Sequence, residues 1–228
     1  MISIREAIQR VLSAYGKGVQ SRDTRLSKRH VYSKLVSARE RVLAQEYKKN
    51  QKVSQWSYQT LPCVEMVSIP IIECPCVPPL GRFTLRSKYL IPAIITGMDD
   101  HAIQSVMSLD GETKYDETQW ESKKNKKGAK YTSKATDWYI KNSYLYLTAT
   151  RKPEKVVFTA IASNPMDFHL FKTCCEDSEP CFNILDKSFH IEGDSFEAVI
   201  ELAVAELIAL FAKMPEDKTS NTSDDAEG

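Results

Sequence analysis

The stretch that most constrains this chain is DSFEAVIELAVAELIALFAKM, residues 194–214. Asp194 and Ser195 suit the cap of a helix, Glu197 suits its first turn, and Lys213 lies in its last turn before Pro215. Phe196, Val199, Ile200, Leu202, Ala203, Val204, Leu207, Ile208, Leu210 and Phe211 cover most of the circumference at helical spacing. Such a helix must be buried on more than one side. A membrane span is disfavoured because Glu201 and Glu206 fall near its middle, each opposing insertion by about 2.5–3.5 kcal/mol against roughly 0.3–0.6 gained per large apolar residue. The pattern therefore predicts a core helix whose second face is covered by its own chain or by a neighbouring copy.

At 228 residues, with 42% apolar and 27% charged residues, the chain can bury a sizeable core as one domain or two smaller units. Arg5, Glu6 and Arg10 interrupt the start where a secretory signal needs an unbroken apolar run, so the chain is expected to act where it is made. The net charge of +1 hides a segregation. Residues 1–60 carry 13 Lys/Arg against 4 Asp/Glu, and residues 174–228 carry 3 against 14. The basic beginning and acidic end can attract each other within a chain or between copies, or form two solvated faces.

Ser3-Ile4-Arg5-Glu6 reads as a capping box, followed by Ile4, Ile8, Val11, Leu12 and Tyr15 at helical spacing and by Gly16 and Gly18. A longer helix is predicted from Asp23 or Thr24 to Lys49. Leu26, Val31, Leu35, Ala38, Val42 and Tyr47 form its stripe, with Arg29, Arg39 and other cations on the remainder. Its length would be roughly 39 Å. From Trp56 the signal turns to strand. Val64–Ile72 is β-rich and ends at Pro75, Pro78, Pro79 and Gly81. Ile103–Leu109 with the Asp110-Gly111 turn and Thr113–Tyr115 reads as a hairpin, as does Trp138–Ile140 with Tyr144–Thr148, and Lys155–Ala162 reads as a strand. Asn164-Pro165 ends this region.

The predicted fold is α+β, with N- and C-terminal helices forming a bundle and an inserted antiparallel sheet or small sandwich. The expected division is a helical pair (1–55), a β domain (56–165), an irregular connector (166–193), the closing helix (194–214) and an acidic tail (215–228). The lysine-rich loop with Lys123, Lys124, Lys126 and Lys127 projects from the β domain, either as a solvated tip or as a contact to phosphates or a partner's acidic rim.

Catalytic, cofactor and metal motifs are missing from the sequence. It contains no nucleophile elbow, P-loop, H-E-x-x-H or dinucleotide-binding glycine pattern. His30, His101, His169 and His190 are scattered, and acid pairs such as Asp99-Asp100 suit turns. Cys63, Cys74, Cys76, Cys174, Cys175 and Cys181 lack zinc-site spacing, so free thiols are the expectation. One functional alternative is a nucleic-acid-binding regulator using the basic helix 24–49 and the lysine loop 122–134. It lacks a helix-turn-helix or an RNA-binding aromatic motif.

The order of parts, together with MISIREAIQRVLSAYGKGVQSRDTRLSKRHVYSKL, SQWSYQTLPCVE, ECPCVPP, SVMSLDGETKY and KVVFTAIASNP, resembles the head-to-tail connector (neck ring) proteins of tailed bacteriophages. It looks most like the portal-proximal ring proteins of crAss-like phages of Bacteroides. The resemblance spans nearly the whole chain and carries no catalytic motif. It implies a non-enzymatic adaptor in the virion neck, assembled in the host bacterial cytoplasm. The adaptor would be a homo-oligomeric, dodecameric ring on the portal protein, touching the next neck or tail ring, with packaged DNA passing through and no membrane. Helices 1–50 and 194–214 would make the ring wall. Leu202, Leu207, Leu210, Phe211, Arg29 and Arg39 are the candidate subunit contacts.

Overall fold

Ser3 starts the first helix in a computed structural model that describes residues 2–16, 26–50, 53–69, 83–97, 101–119, 136–171 and 183–212. Its hydroxyl accepts the Glu6 N–H at 3.2 Å, and helix α1 runs Ile4–Tyr15. The Glu6 carboxylate accepts from Arg10 at 3.0 Å, so the expected capping box forms on its serine side. Gly16 closes the helix by donating its N–H to the Leu12 carbonyl at 2.9 Å. Helix α2 spans Lys28–Asn50. The Ser27 hydroxyl accepts the His30 N–H at 3.2 Å, a cap later than the expected start, which falls outside the described residues.

Seven strands follow: β1 (Gln59–Ser68), β2 (Phe83–Ser87), β3 (Ile103–Ser108), β4 (Asp116–Glu117), β5 (Asp137–Lys141), β6 (Tyr144–Ala149) and β7 (Lys155–Ala160). They form one sheet in the order β3-β7-β1-β2-β6-β5-β4. Pairing is antiparallel except between β4 and β5. The Met107–Lys114 bridge and a 2.9 Å bond from the Tyr115 N–H to the Val106 carbonyl lead from β3 straight into β4. The two ends of the strand order are thereby joined, and the sheet curls nearly into a barrel. The sandwich alternative is corrected accordingly. Register irregularities at Leu61–Val64 and Ile103–Ser105 supply local bends, and Pro62, which has no ladder donor, sits within the first.

Both expected hairpins are present. Gly111 has φ 76° at the first turn; Asn142 and Ser143 have φ 50° and 60° at the second, the backbone that a tight two-residue hairpin requires. Alternation along β7 sends Val156, Phe158 and Ala160 inward, where they meet Leu61, Leu85, Leu145 and Leu147.

Within the stretch expected as an irregular connector, the described residues include two short helical pieces. Asn164 caps a short helix α3 (Pro165–His169) by accepting the Met166 N–H at 3.2 Å, and Ile184–Asp186 forms a 3-10 turn. The Ile4 N–H donates to the Lys187 carbonyl and the Phe189 N–H to the Ile2 carbonyl, both at 2.9 Å. Phe189 and Ile191 then enter the helical core. Helix α4 (Gly193–Ala212) begins with the Phe196 N–H bonded to the Glu192 carbonyl. Asp194 therefore lies in its first turn rather than at its cap. Helices α1, α2 and α4 share one core of Ile4, Ile8, Val31, Leu35, Phe196 and Leu207, among others. A smaller cluster of Leu43, Ile95, Ala102 and Ile161 ties the end of α2 to the sheet.

Ser143 holds a left-handed backbone that costs a side-chain-bearing residue more than glycine. Ser143→Gly is expected to raise stability by about 0.5–1 kcal/mol, read as a higher thermal midpoint; a lower midpoint would contradict this account of the turn.

Candidate assembly interface

Arg39 was expected on the outward basic face of α2 as a subunit contact, and the structure corrects this. The residue is 0% exposed. Its Nη1 donates to the Ala162 carbonyl at 2.6 Å, and its Nε and Nη2 donate to the His190 carbonyl at 3.1 and 3.0 Å. The guanidinium also lies 6.0 Å from the centre of the Phe189 ring. α2 passes between the exit of β7 and the entry to α4, where the backbone has left the sheet and its carbonyls need other donors. A planar fork of N–H groups serves two carbonyls at once, which a single ammonium does not. Burial lowers the Arg39 pKa to about 10, so it stays charged at neutral pH. Nearby, the Tyr32 hydroxyl donates to Asn164 at 2.8 Å, and burial raises its pKa.

The basic beginning and acidic end of the chain do meet within one molecule. Arg5 pairs with Asp186 at 2.9 Å, Arg10 with Glu197 at 3.0 Å, Lys34 with Glu206 at 3.4 Å and Arg41 with Glu206 at 2.5 Å. The first two are open to solvent and contribute little. Glu206 is only 16% exposed on its side chain and holds α4 against α2 more firmly. Ser195 also donates its hydroxyl to Glu46 at 2.6 Å, so its role is to join two helices rather than to cap one.

These contacts set α4 antiparallel to α2, with Ser195 beside Glu46 and Glu206 beside Lys34. Leu207 is fully buried between the helices and Leu202 is half-buried against them. Leu207 thus faces its own chain's core rather than another copy. Leu210 is 44% exposed, Ile208 is 52% exposed, and Ala198, Glu201, Ala205 and Ala209 complete an outward stripe. Between α1 and α2 lies a groove of about 210 Å³, lined by Ile4, Ile8, Tyr32 and Leu185, with Lys28 and Arg29 at its edge. The Phe211 side chain and Lys123, Lys124, Lys126 and Lys127 lie outside the described residues.

The histidines scattered in sequence are brought together in one case. The His169 and His190 rings lie 5.5 Å apart at 38°, beside the Arg39 clamp, with His190 at φ 44°. Burial lowers both pKa values, that of His190 to about 4, with His169 and Arg39 adding to the effect. Among the described residues no group of three or more His, Cys, Asp or Glu could hold a metal ion. No described helix is long and apolar enough to cross a membrane. Cys63, buried in β1, is disulfide-bonded, which corrects the expectation of a free thiol there. Its partner lies outside the described residues.

Three helices around one core, with a bare helix face and an open groove on the same layer, are surfaces suited to a structural protein that assembles with other chains. The model of the crAss-phage ring 2 family, described as phage tail ring protein 2, matches residues 6–226, and this chain belongs to that family. It is a structural, ring-forming component of a phage virion. No curated protein matches it.

Arg39→Met is expected to leave the Ala162 and His190 carbonyls without a donor and to cost about 2–4 kcal/mol. Arg39→Lys should recover only part of that loss. Urea denaturation of the purified chain measures both, and a methionine variant as stable as the parent would refute the clamp. For His190 the folded-state pKa lies below the unfolded one, so the unfolded chain takes up the proton first as pH falls. Its contribution is fully present above about pH 6.5 and is lost as pH falls toward 4. The loss should be about 2–3 kcal/mol, and His190→Asn should flatten that part of the stability profile.

Proposed function

We propose that this ring protein is the adaptor between the portal and the next neck or tail component of a crAss-like phage, without catalytic activity. In this reading residues 1–50 and 194–214 build a helical ring wall, and residues 56–165 are a β domain inserted into the helical body. Residues 166–193 connect the two, and the acidic tail 215–228 reaches a partner. The ring is dodecameric, forms in the host cytoplasm, and lets packaged DNA pass through its centre. The lysines at 123, 124, 126 and 127 are candidate contacts to DNA or to an acidic partner.

The observation that carries the reading is the outward apolar stripe of α4, with Ile208 half exposed, on a chain whose family is a ring family. A stripe of that kind is covered when copies stand side by side. Ring closure by rotation is the symmetry that such repetition produces. The regulator alternative loses part of its surface: Arg39 is buried, and Lys34 and Arg41 are held by Glu206.

An electron-microscopy reconstruction of the native particle tests the assignment. It is expected to place this chain as a closed dodecameric ring against the portal. A ring located further down the tail, away from the portal, would overturn the adaptor role.

A further inference from the structure

A closed ring needs a heterologous contact, in which one patch of each copy meets a different patch of the next. The helical layer offers two such patches. α1, α2 and α4 surround a common core, so the cleft between α1 and α2 opens away from α4, and the outer face of α4 looks the other way. We infer that the repeating contact of the ring seats the outer face of α4 in the α1–α2 groove of the next copy. This rests on the ring-forming character of the family and specifies the surfaces it would use.

The chemistry of the two patches is complementary. The α4 face carries small side chains at Ala198, Ala205 and Ala209, an apolar knob at Ile208 and an acid at Glu201, all exposed. Small residues let a helix approach its neighbour closely. The groove has an apolar floor of Ile4, Ile8 and Leu185 and a cationic edge of Lys28 and Arg29. Among the described residues Glu201, Lys28 and Arg29 take part in no ion pair. Glu201 and Ile208 lie two turns apart on one face, roughly 10 Å, so one docking pose seats the knob on the floor and the acid at the edge. A two-fold pairing of one α4 face with another would instead leave the groove empty.

Carbodiimide cross-linking of intact particles, followed by mass spectrometry, tests the contact because it joins a carboxylate directly to an amine. The expected product is a Glu201–Lys28 peptide in species of dimer size and above. In particles assembled from variant chains, Glu201→Lys should reduce ring incorporation by about tenfold, as expected for a loss near 1.4 kcal/mol. Adding Lys28→Glu and Arg29→Glu to that variant should restore it. These residues are exposed, and circular dichroism of the purified variants checks that folding is intact. Rings that form without the cross-link and tolerate Glu201→Lys would overturn this contact while leaving the ring itself standing. Cross-linking of Ile208→Cys to its own counterpart would overturn it in favour of two-fold pairing, and absence of any ring would defeat the reading on which it rests.

Discussion

The structure depends on a buried cation that, among the described residues, has no acid bound to it. Arg39 reaches from the middle of α2 to carbonyls at Ala162, where the chain leaves the barrel, and at His190, where it turns toward α4. Those two points are where the helical and β parts of the chain are exchanged. Removing a guanidinium from water is costly, and the cost is offset because it donates three hydrogen bonds to those carbonyls, one of them at 2.6 Å, and because carbonyls outside a sheet have few other donors. The clamp fixes the left-handed backbone at His190, and burial, helped by His169 and Arg39, lowers the pKa of its ring. Its carbonyl orientation is set by the guanidinium, and its ring is left beside that charge.

Around this clamp the two ends of the chain are drawn together by ordinary forces. Apolar packing holds α1, α2 and α4 together, and pairing of basic and acidic ends adds orientation. Glu206 is the informative case. A carboxylate midway along an apolar helix disfavours a membrane, and here it meets Lys34 and Arg41 from one helix. The charge segregation of the sequence therefore has an intramolecular use. It still leaves Lys28, Arg29 and Glu201 exposed and outside the described ion pairs.

Much of the fold could be read from local pattern. Ser3 and Gly16 mark α1 because a cap and a terminator act within a few residues. Both hairpins follow from turns whose backbone needs Gly111 or a short polar pair such as Asn142-Ser143. The alternation of Val156, Phe158 and Ala160 identified β7. β2 escaped notice because its five residues follow a run of prolines and carry no distinctive alternation. Arg39 was misplaced because its position, one turn beyond Leu35, borders the apolar stripe, and an arginine there reads as surface until distant carbonyls are known to converge on it. Leu207 reads from sequence as a candidate subunit contact because apolar residues on all sides of a helix do not say which side its own chain will cover.

What the sequence alone determined was the set of elements that obey short-range rules: the Ser3-capped helix α1, the tight turns, the alternating faces of β7 and the need of α4 for cover on several sides. Which cover it receives was decided only by tertiary structure. So were the closure of the sheet, the meeting of His169 with His190, and the burial of Arg39. The physical reason is that periodicity and capping act over a turn or two of chain, whereas these contacts join residues more than a hundred positions apart or on separate elements, where satisfaction of backbone carbonyls and close packing select the partner.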